Sequence, residues 1–228
     1  DIQFNTRVIS AKYLEDLNQW QVETDQGDRI TAQFLITGIG CISVGNVPPV
    51  KGLYSFQGDW YHTGSWPHEK VDFIGKQVAV IGTGSSGVQS IPVIAHEADQ
   101  VTVFQRTPQY TVPARHATVD RRLLEEVVKP NYDKFVEQMK WSAGGNMAVK
   151  DSRSALEVSA EERQQLYEVA WAKGGERFLG ESFRDVTTDK RANDTISEFI
   201  RSKIRETVKD PETVEKLLPT DHPFTSKR

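Results

Sequence analysis

The amino-acid sequence predicts an α/β fold in which a parallel strand–helix–strand unit is followed by a long helical segment. Three observations carry this prediction. A largely apolar run at 77–81 has the composition of a buried parallel strand. A glycine-rich stretch at 82–87 and an amphipathic stretch follow it, and a second apolar run at 101–104 closes the unit. Apolar residues then recur at helical spacing over 120–218, whereas residues 1–40 alternate as strands do.

The N-terminal part predicts a β-hairpin. Short alternating segments at 20–24 and 29–34 flank the turn-forming cluster Asp25-Gln26-Gly27-Asp28. An apolar run at 34–37 then leads into Gly38-Ile39-Gly40, so we expect a buried strand with a glycine exit there. Such an exit lets a ligand approach the main chain, although a simple tight turn explains these residues equally well.

The helical segment carries its own start and stop signals. Pro130 predicts a break, Ser159 and Glu162 have the spacing of a capping box, and Asp210-Pro211 has the cap-then-proline form that begins a short helix. Apolar side chains keep helical spacing within four stretches, which are Leu123 to Val128, Phe135 to Met139, Leu166 to Ala170 and Ile196 to Ile204.

Charge and composition exclude several classes of protein. The 228 residues include 28 Lys and Arg against 32 Asp and Glu, a net charge of −4 that does not predict a nucleic-acid or anionic-membrane surface. The single cysteine, Cys41, excludes an internal disulfide framework or a multi-cysteine zinc site and is typical of a reducing compartment. No apolar run approaches the length of a membrane span, and no signal-peptide pattern opens the chain. We therefore expect a cytoplasmic protein and, because the sequence begins with Asp, a fragment of a longer one.

The glycine-rich stretch reads Gly82-Thr83-Gly84-Ser85-Ser86-Gly87, which is G-x-G-x-x-G between a strand and a helix. In that context Gly82 permits a tight turn, Gly84 lets the backbone approach a pyrophosphate, and Gly87 lets the helix pack on the strand. The N-terminus of the helix then offers N–H donors to the phosphates. The sequence therefore predicts a Rossmann-like, three-layer dinucleotide-binding domain; a glycine turn without a ligand is the alternative.

The end of the second strand indicates which dinucleotide is bound. Sites for NAD place Asp or Glu there to bind the ribose 2′-hydroxyl, whereas this chain has Gln105, Arg106 and Thr107. Arg106 can hold a 2′-phosphate with charge-assisted hydrogen bonds, and Thr107 can add a hydroxyl. The pattern favours NADP(H) over NAD(H). The alternative is that Arg106 is a solvated charge at a strand end.

Residues 56–67 form an aromatic-dense linker before the nucleotide unit. His62 within it could be a catalytic base, a pH-sensitive hinge or a hydrogen-bonded structural residue. Because no carboxylate or nucleophile stands in register with it, residue types alone favour the structural role.

The linker resembles the F-x-G-x-x-x-H-x-x-x-W-P fingerprint of type I Baeyer–Villiger monooxygenases, which are class B, FAD- and NADPH-dependent enzymes that act on ketones. Phe56, Gly58, His62, Trp66 and Pro67 all stand in register. The resemblance extends to four further blocks of the chain, at 82–89, 103–108, 112–115 and 222–228.

The resemblance implies a flavin-dependent monooxygenase that uses NADPH and O₂ to convert a ketone to an ester or lactone through a flavin C4a-peroxide. It implies catalytic roles for Arg228, as the active-site arginine, and for His62, as a residue that couples domains. The implied FAD and NADP(H) cofactors come with a set of NADP-binding residues: Gly82, Thr83, Gly84, Ser85, Ser86, Gly87, Gln89, Arg106, Thr107 and Lys227. A small-molecule ketone and O₂ are the implied partners.

The same resemblance assigns the end of an FAD-binding domain, a β-rich segment, to 1–50, an interdomain linker to 51–75, and an NADP-binding domain to 76–228 with a helical insertion at about 120–218. Three features depart from the family pattern. Gly38-Ile39-Gly40 replaces its A-T-G, Thr225 replaces the glycine of P-F-G-T-K-R, and the N-terminal G-x-G-x-x-G for FAD is not in this sequence. An N- or S-oxidising class B flavin monooxygenase and a non-catalytic NADP-binding fragment remain as alternatives.

Overall fold

The protein is described by a computed structural model that covers residues 2–40, 42–142, 145 and 150–226. The chain forms two compact units, Asp1–Val71 and Asp72–Arg228. The border between the units falls within the stretch that we interpret as a linker. The assignment of the segments to FAD- and NADP-binding domains stays a prediction.

The first unit contains a three-stranded antiparallel sheet in the order β1-β2-β3. Its strands are β1 (Val8–Leu14), β2 (Gln19–Thr24) and β3 (Arg29–Ala32). The turn between β2 and β3 is closed by the Thr24 hydroxyl, which accepts a hydrogen bond from the Asp28 N–H at 3.2 Å, and by Gly27 with φ +87°. The predicted hairpin is therefore confirmed.

The predicted strand at 34–37 is wrong. Residues 34–40 have no regular secondary structure, and Phe34 and Ile36 are 78% and 93% exposed. A strand exists only where a neighbouring strand accepts its backbone hydrogen bonds, and no described residue pairs with this run. An apolar run indicates that a segment could form a buried strand, but it does not show which other strand would pair with it.

The second unit opens with the predicted strand–helix–strand arrangement. Strands β4 (Gln77–Ile81) and β5 (Gln100–Phe104) are parallel, and helix α1 (Ser85–Glu97) connects them. Ile81 is paired with Phe104, so the two strands end at the same edge of the sheet. The α/β prediction is confirmed in this unit.

Helices make up most of the rest of the second unit. Helix α2 (Arg121–Leu123) continues into a π-turn at Leu124–Val128 and a 3₁₀ turn at Lys129–Asn131. Five helices follow in the described part of the chain: α3 (Tyr132–Lys140), α4 (Ala160–Lys173), α5 (Gly175–Gly180), α6 (Lys190–Thr207) and α7 (Pro211–Leu217). Gly174 alone separates α4 from α5. The break predicted at Pro130 is wrong, because the chain stays helical through this residue. Since proline removes a single N–H donor, only the hydrogen-bonding pattern changes there, to a 3₁₀ turn.

Both predicted helix caps are present, but the capping box at Ser159 forms only one of its two hydrogen bonds. The Asp210 carboxylate accepts a hydrogen bond from the Thr213 N–H at 2.8 Å and begins α7. The Ser159 hydroxyl accepts from the Glu162 N–H at 3.1 Å and begins α4. The Glu162 carboxylate pairs with Arg153 instead of returning to the Ser159 backbone, so a charge-assisted contact replaces the second half of the capping box.

The hydrophobic core lies among the helices of the second unit. Tyr167 of α4, Phe178 of α5 and Phe199 of α6 are at most 3% exposed, and their rings pack with centroid distances of 5.4–5.8 Å. Ile196 and Ile200 of α6 are fully buried beside them. Within the described ranges, no helix is both long enough and apolar enough to cross a membrane.

Candidate dinucleotide site

The glycine loop between β4 and α1 has a backbone that only glycine accommodates at two positions. Gly82 has φ +101°, in the left-handed region, and its N–H donates to the Phe104 carbonyl at 2.8 Å. A Cβ atom at Gly87 would lie 2.3 Å from the Gly82 carbonyl oxygen. Gly87 therefore allows α1 to pack closely on Gly82, the residue that follows β4.

The N-terminus of α1 faces open space. Gly84 precedes the helix in an extended conformation, and a Cβ atom there would have nothing within 4 Å. No described side chain caps the first turn, and that turn contains no acidic residue. Its free N–H groups and the positive end of the helix dipole can thus accept an anionic group.

Four other predicted residues lie on or beside this first turn. Ser85 and Ser86 are exposed at the start of α1, and Thr83 is half-buried in the loop. The Gln89 side chain donates to the Ser85 carbonyl at 2.7 Å, so its amide is bound to the backbone of its own helix.

Arg106 lies two residues beyond the end of β5, beside the glycine loop, because the two parallel strands end together. A cleft of about 1170 Å³ joins the two features, and both Thr83 and Arg106 line it. Its floor is apolar and includes Ile81, Ile91 and Phe104. The cleft is thus large enough for a nucleotide. Arg106 places a positive charge on the wall of the cleft, next to the glycine loop.

The cations that line this cleft differ in their partners. Lys203 Nζ lies 2.7 Å from a Glu168 carboxylate oxygen, and Lys216 Nζ lies 2.6 Å from one of Glu212. Arg106, by contrast, forms no ion pair with any residue in the described part of the chain. Its guanidinium is therefore available to an anionic ligand.

The remaining predicted phosphate ligands are placed only in part. Thr107 is half-buried next to Arg106, and its carbonyl accepts from the Gln109 side chain at 3.4 Å. Lys227 and Arg228 lie outside the described residues. The turn immediately before them is described, and Thr225 within it has φ +75°, a conformation that glycine adopts more easily.

His62 has a defined hydrogen bond in the first unit. Its Nδ1 atom accepts from the Gly64 N–H at 3.1 Å and caps a 3₁₀ turn, Thr63–Ser65. The neutral ring therefore carries its proton on Nε2. The ring lies so close to Gly45 that a Cβ atom there would come within 3.1 Å of it. These contacts favour a structural or coupling role over that of a base.

The other fingerprint residues also contact each other locally. A Cβ atom at Gly58 would lie 2.7 Å from the Phe56 ring, which explains the F-x-G spacing. Trp66 packs on Tyr61 with ring centroids 5.6 Å apart. These fingerprint residues thus have contacts within their own segment, and Phe56 and Trp66 remain 62% and 41% exposed.

Sequence reasoning missed one buried polar residue, Asn193, which is hydrogen-bonded to the main chain of Phe224. Asn193 lies on the buried face of α6 and is 5% exposed. The available signal was an amide at helical spacing from the apolar residues Ile196 and Ile200. No group of His, Cys, Asp and Glu suited to a metal ion occurs among the residues that the structure describes.

Comparison with known proteins supports the family resemblance. The model of the flavin-binding monooxygenase-like family matches residues 1–121. A cyclohexanone 1,2-monooxygenase from Acinetobacter sp is 44% identical over 96% of this chain and 40% of its own length. A phenazine N-monooxygenase from Lysobacter antibioticus is 40% identical over 97% of this chain and 41% of its own length.

A solved structure of oxidized steroid monooxygenase bound to NADP superposes with a TM-score of 0.88 and 46% identity, over 99% of this chain and 43% of that one. The chain therefore spans about two fifths of the length of the relatives it matches. This superposition confirms the α/β dinucleotide-binding fold. Since the family model covers more than half of the sequence, the chain belongs to the flavin-binding monooxygenase-like family.

Proposed function

We propose that this chain provides the NADPH-binding part of a flavin-dependent Baeyer–Villiger monooxygenase, which uses NADPH and O₂ to insert an oxygen atom next to a carbonyl group. One observation carries the proposal. An uncapped helix N-terminus and an unpaired Arg106 lie at the same edge of the sheet, in a chain 44% identical to a cyclohexanone monooxygenase.

The chain's own residues divide the work of binding NADPH. The N–H groups at the start of α1 would bind the pyrophosphate, which the space above Gly84 admits. Arg106, Thr107 and Lys227 would bind the 2′-phosphate, the group that distinguishes NADPH from NADH. The open cleft of about 1170 Å³ beside the loop leaves space for such a ligand.

Two further residues would serve the oxidation itself. FAD, when bound, supplies the activation of oxygen. A fixed guanidinium from Arg228 would stabilise negative charge that develops on oxygen atoms in the reaction. His62, fixed by Gly64 and packed close to Gly45, would couple the fingerprint segment to the rest of the protein.

The wider context follows from the same proposal. Segment 1–50 would complete an FAD-binding domain, 51–75 would link the domains, and 76–228 would bind NADP(H). The partners would be a small-molecule ketone and O₂, with no nucleic acid and no membrane. The single cysteine favours the cytoplasm as its location.

The test is product analysis on the full-length protein loaded with FAD. NADPH oxidation and O₂ uptake are followed with linear, cyclic and aromatic ketones, with a ketone-free reaction as the control. We expect consumption that depends on the ketone, together with an ester or lactone product. Consumption that no ketone accelerates, with no ester formed, would contradict the proposal.

The 40% identity to a phenazine N-monooxygenase supports a second candidate, oxidation of nitrogen or sulfur. The same assay with a nitrogen heteroarene or a thioether separates the two. Esters formed from ketones support the first candidate, whereas an N-oxide or a sulfoxide with no ester from any ketone supports the second. A third candidate, a non-catalytic NADP-binding module, predicts that the purified protein carries no flavin absorbance.

A further inference from the structure

The loop that carries Arg106, residues 105–110, is bound to helices further along the chain. At its start, the Gln105 side chain donates a hydrogen bond to the Lys216 carbonyl in the last turn of α7. At its end, the Tyr110 ring is half-buried against the core of the helical part. The place of Arg106 therefore depends on contacts with these helices as well as on the end of β5.

The Tyr110 hydroxyl joins a helix to a turn. It accepts a hydrogen bond from the Arg201 guanidinium of α6 at 2.9 Å and donates one to the His222 carbonyl at 3.0 Å. The ring packs edge-on against His222 and Phe224, with centroid distances of 5.3 and 5.6 Å. Hydroxyl and ring thus hold the end of the loop through different contacts, so a substitution can remove the first set and keep the second.

The guanidinium that contacts Tyr110 is itself held in place. The Arg201 side chain is 19% exposed, and its Nε atom lies 2.8 Å from a Glu198 carboxylate oxygen one turn earlier on α6. The nitrogen that donates to Tyr110 also donates to the Pro219 carbonyl at 3.2 Å. Because a charged donor makes a stronger hydrogen bond than a neutral one, Arg201 fixes the position of the Tyr110 hydroxyl.

The stretch between Tyr110 and Arg106 is short and stiff. Three residues separate them, and one of the three is Pro108. Proline fixes its own φ and restricts the residue before it, so a displacement of Tyr110 moves Arg106 as well. The glycine loop should move less, because its hydrogen bond to this region, from the Gly82 N–H to the Phe104 carbonyl at 2.8 Å, comes before Arg106 in the chain.

We propose that Tyr110 is a positioning residue, whose hydroxyl, held by Arg201, sets the direction in which Arg106 meets the 2′-phosphate and so the selectivity for NADP(H) over NAD(H). The inference rests on the proposed function, because it assumes that Arg106 binds that phosphate. Tyr110 is not one of the residues that line the cleft. The proposal therefore predicts that a hydroxyl outside the cleft changes the response to one phosphate group and leaves binding of the rest of the dinucleotide unchanged.

The test is calorimetric titration of the full-length, FAD-loaded protein with NADP⁺ and with NAD⁺, which needs no turnover. Tyr110→Phe keeps the ring and removes both hydrogen bonds of the hydroxyl. We expect the ratio of NADP⁺ affinity to NAD⁺ affinity to fall about 5-fold, close to the value of one lost hydrogen bond, with NAD⁺ affinity unchanged. Because Gln105 still holds the start of the loop, the fall should be smaller than that of Arg106→Ala.

Tyr167→Phe is the matched control. It removes a tyrosine hydroxyl that also bonds to α6, at 2.8 Å from the Thr195 hydroxyl, and that bond does not involve the loop at 105–110. Its affinity ratio should equal that of the wild type. An equal fall in the two variants would overturn the proposal, since the loss of any such hydroxyl in the helical part would then have the same effect.

Arg201→Met is the second variant, because it removes the charged donor and keeps an apolar side chain. It should lower the ratio in the same direction as Tyr110→Phe. An unchanged ratio in Tyr110→Phe, or equal losses of NADP⁺ and NAD⁺ affinity, would overturn the proposal. If that variant does not fold, either result in Arg201→Met would do so.

The double variant with Arg106→Ala tests whether Tyr110 acts through Arg106. In the Arg106→Ala background, Tyr110→Phe should not change the ratio further, because the group that it positions is absent. A further fall would assign the effect to another residue and overturn the proposal.

The single variant Arg106→Ala separates this inference from the proposed function. A fall in the ratio for Arg106→Ala but not for Tyr110→Phe would remove the role of Tyr110 and keep the NADPH site. A wild-type protein that does not prefer NADP⁺ would remove both.

Discussion

The strand–helix–strand unit at 77–104 and the helical part of the second unit differ in how they are stabilised. In the former, Ile94 is buried, whereas Ile81 and Phe104 at the strand ends are 70% and 57% exposed. In the latter, a contiguous aromatic core is at most a few per cent exposed. The glycine loop thus takes its shape from local backbone constraints, whereas the turn before Lys227 takes its position from a packed core.

The largest effect that we predict comes from breaking that core. Phe178 is fully buried and its ring contacts those of Trp171, Phe199 and Phe224. Phe178→Ala should lower the free energy of unfolding by about 3–5 kcal/mol, because it removes a large buried ring and leaves a cavity. Urea unfolding followed by circular dichroism measures this change.

Val169→Ala is the control, since Val169 lies on α4 but is 53% exposed. It should change the free energy of unfolding by less than about 0.5 kcal/mol. Equal losses in the two variants would show that the aromatic cluster is not the stabilising core.

A smaller effect is expected from breaking the glycine loop. Gly87→Ala would place a Cβ atom 2.3 Å from the Gly82 carbonyl oxygen, so α1 must move away from the loop. Overpacking of this kind should cost about 2 kcal/mol of stability and abolish NADP⁺ binding. Thermal unfolding and NADP⁺ titration measure the two effects separately.

Gly84→Ala tests ligand binding by the glycine loop without disturbing the packing of the loop. Its Cβ atom would have nothing within 4 Å, and its φ of −72° suits alanine, so the melting temperature should be unchanged. NADP⁺ affinity should nevertheless fall, because the methyl group occupies the space proposed for the pyrophosphate. Unchanged NADP⁺ affinity in both glycine variants would contradict our assignment of the loop.

The smallest effect concerns acid stability in the helical part. The Arg153 side chain and then the Arg153 N–H bond to the Asp151 carboxylate and lower its pKa from 3.8 to about 2. The unfolded chain therefore takes up the proton first as the pH falls, and the contribution of this carboxylate is lost between about pH 4 and pH 2. Since Arg153 is 45% exposed, we expect this contribution to be about 1 kcal/mol or less.

Asp151→Asn tests this expectation. The variant should lose stability at pH 6 and should unfold with a shallower acid dependence between pH 4 and pH 2. Urea unfolding at each pH gives both values. An acid dependence that matches the wild type would contradict the proposed ion pair.

The parts of the fold that the sequence predicted correctly are those with local causes. The hairpin turn, the strand–helix–strand unit and the caps at Ser159 and Asp210 each depend on residues within a few positions of one another. The strand predicted at 34–37 failed because strand formation depends on a distant partner. Pro130 failed as a break because the chain changed its hydrogen-bonding pattern there and stayed helical.

The candidate site was likewise predicted only where its features have local causes. The sequence predicts the glycine loop and places Arg106 at the neighbouring strand end. Arg106 forms no ion pair in the described part of the chain, whereas Lys203 is paired with Glu168 of another helix, and only the fold brings those two residues together. The hydrogen bonds of buried Asn193 likewise depend on Phe224, which is 31 residues away. The Lys216–Glu212 pair, by contrast, has i,i+4 spacing within α7 and could be predicted from the sequence.

The measurement that tests our central claim most directly is the selectivity of Arg106→Ala for NADP⁺ over NAD⁺, measured by titration. Lys216→Ala is the matched control, because Lys216 lines the same cleft but is paired with Glu212. We predict that Arg106→Ala weakens NADP⁺ binding about 10- to 100-fold and leaves NAD⁺ binding unchanged, whereas Lys216→Ala changes neither. Equal losses with both nucleotides would contradict the claim that Arg106 recognises the 2′-phosphate.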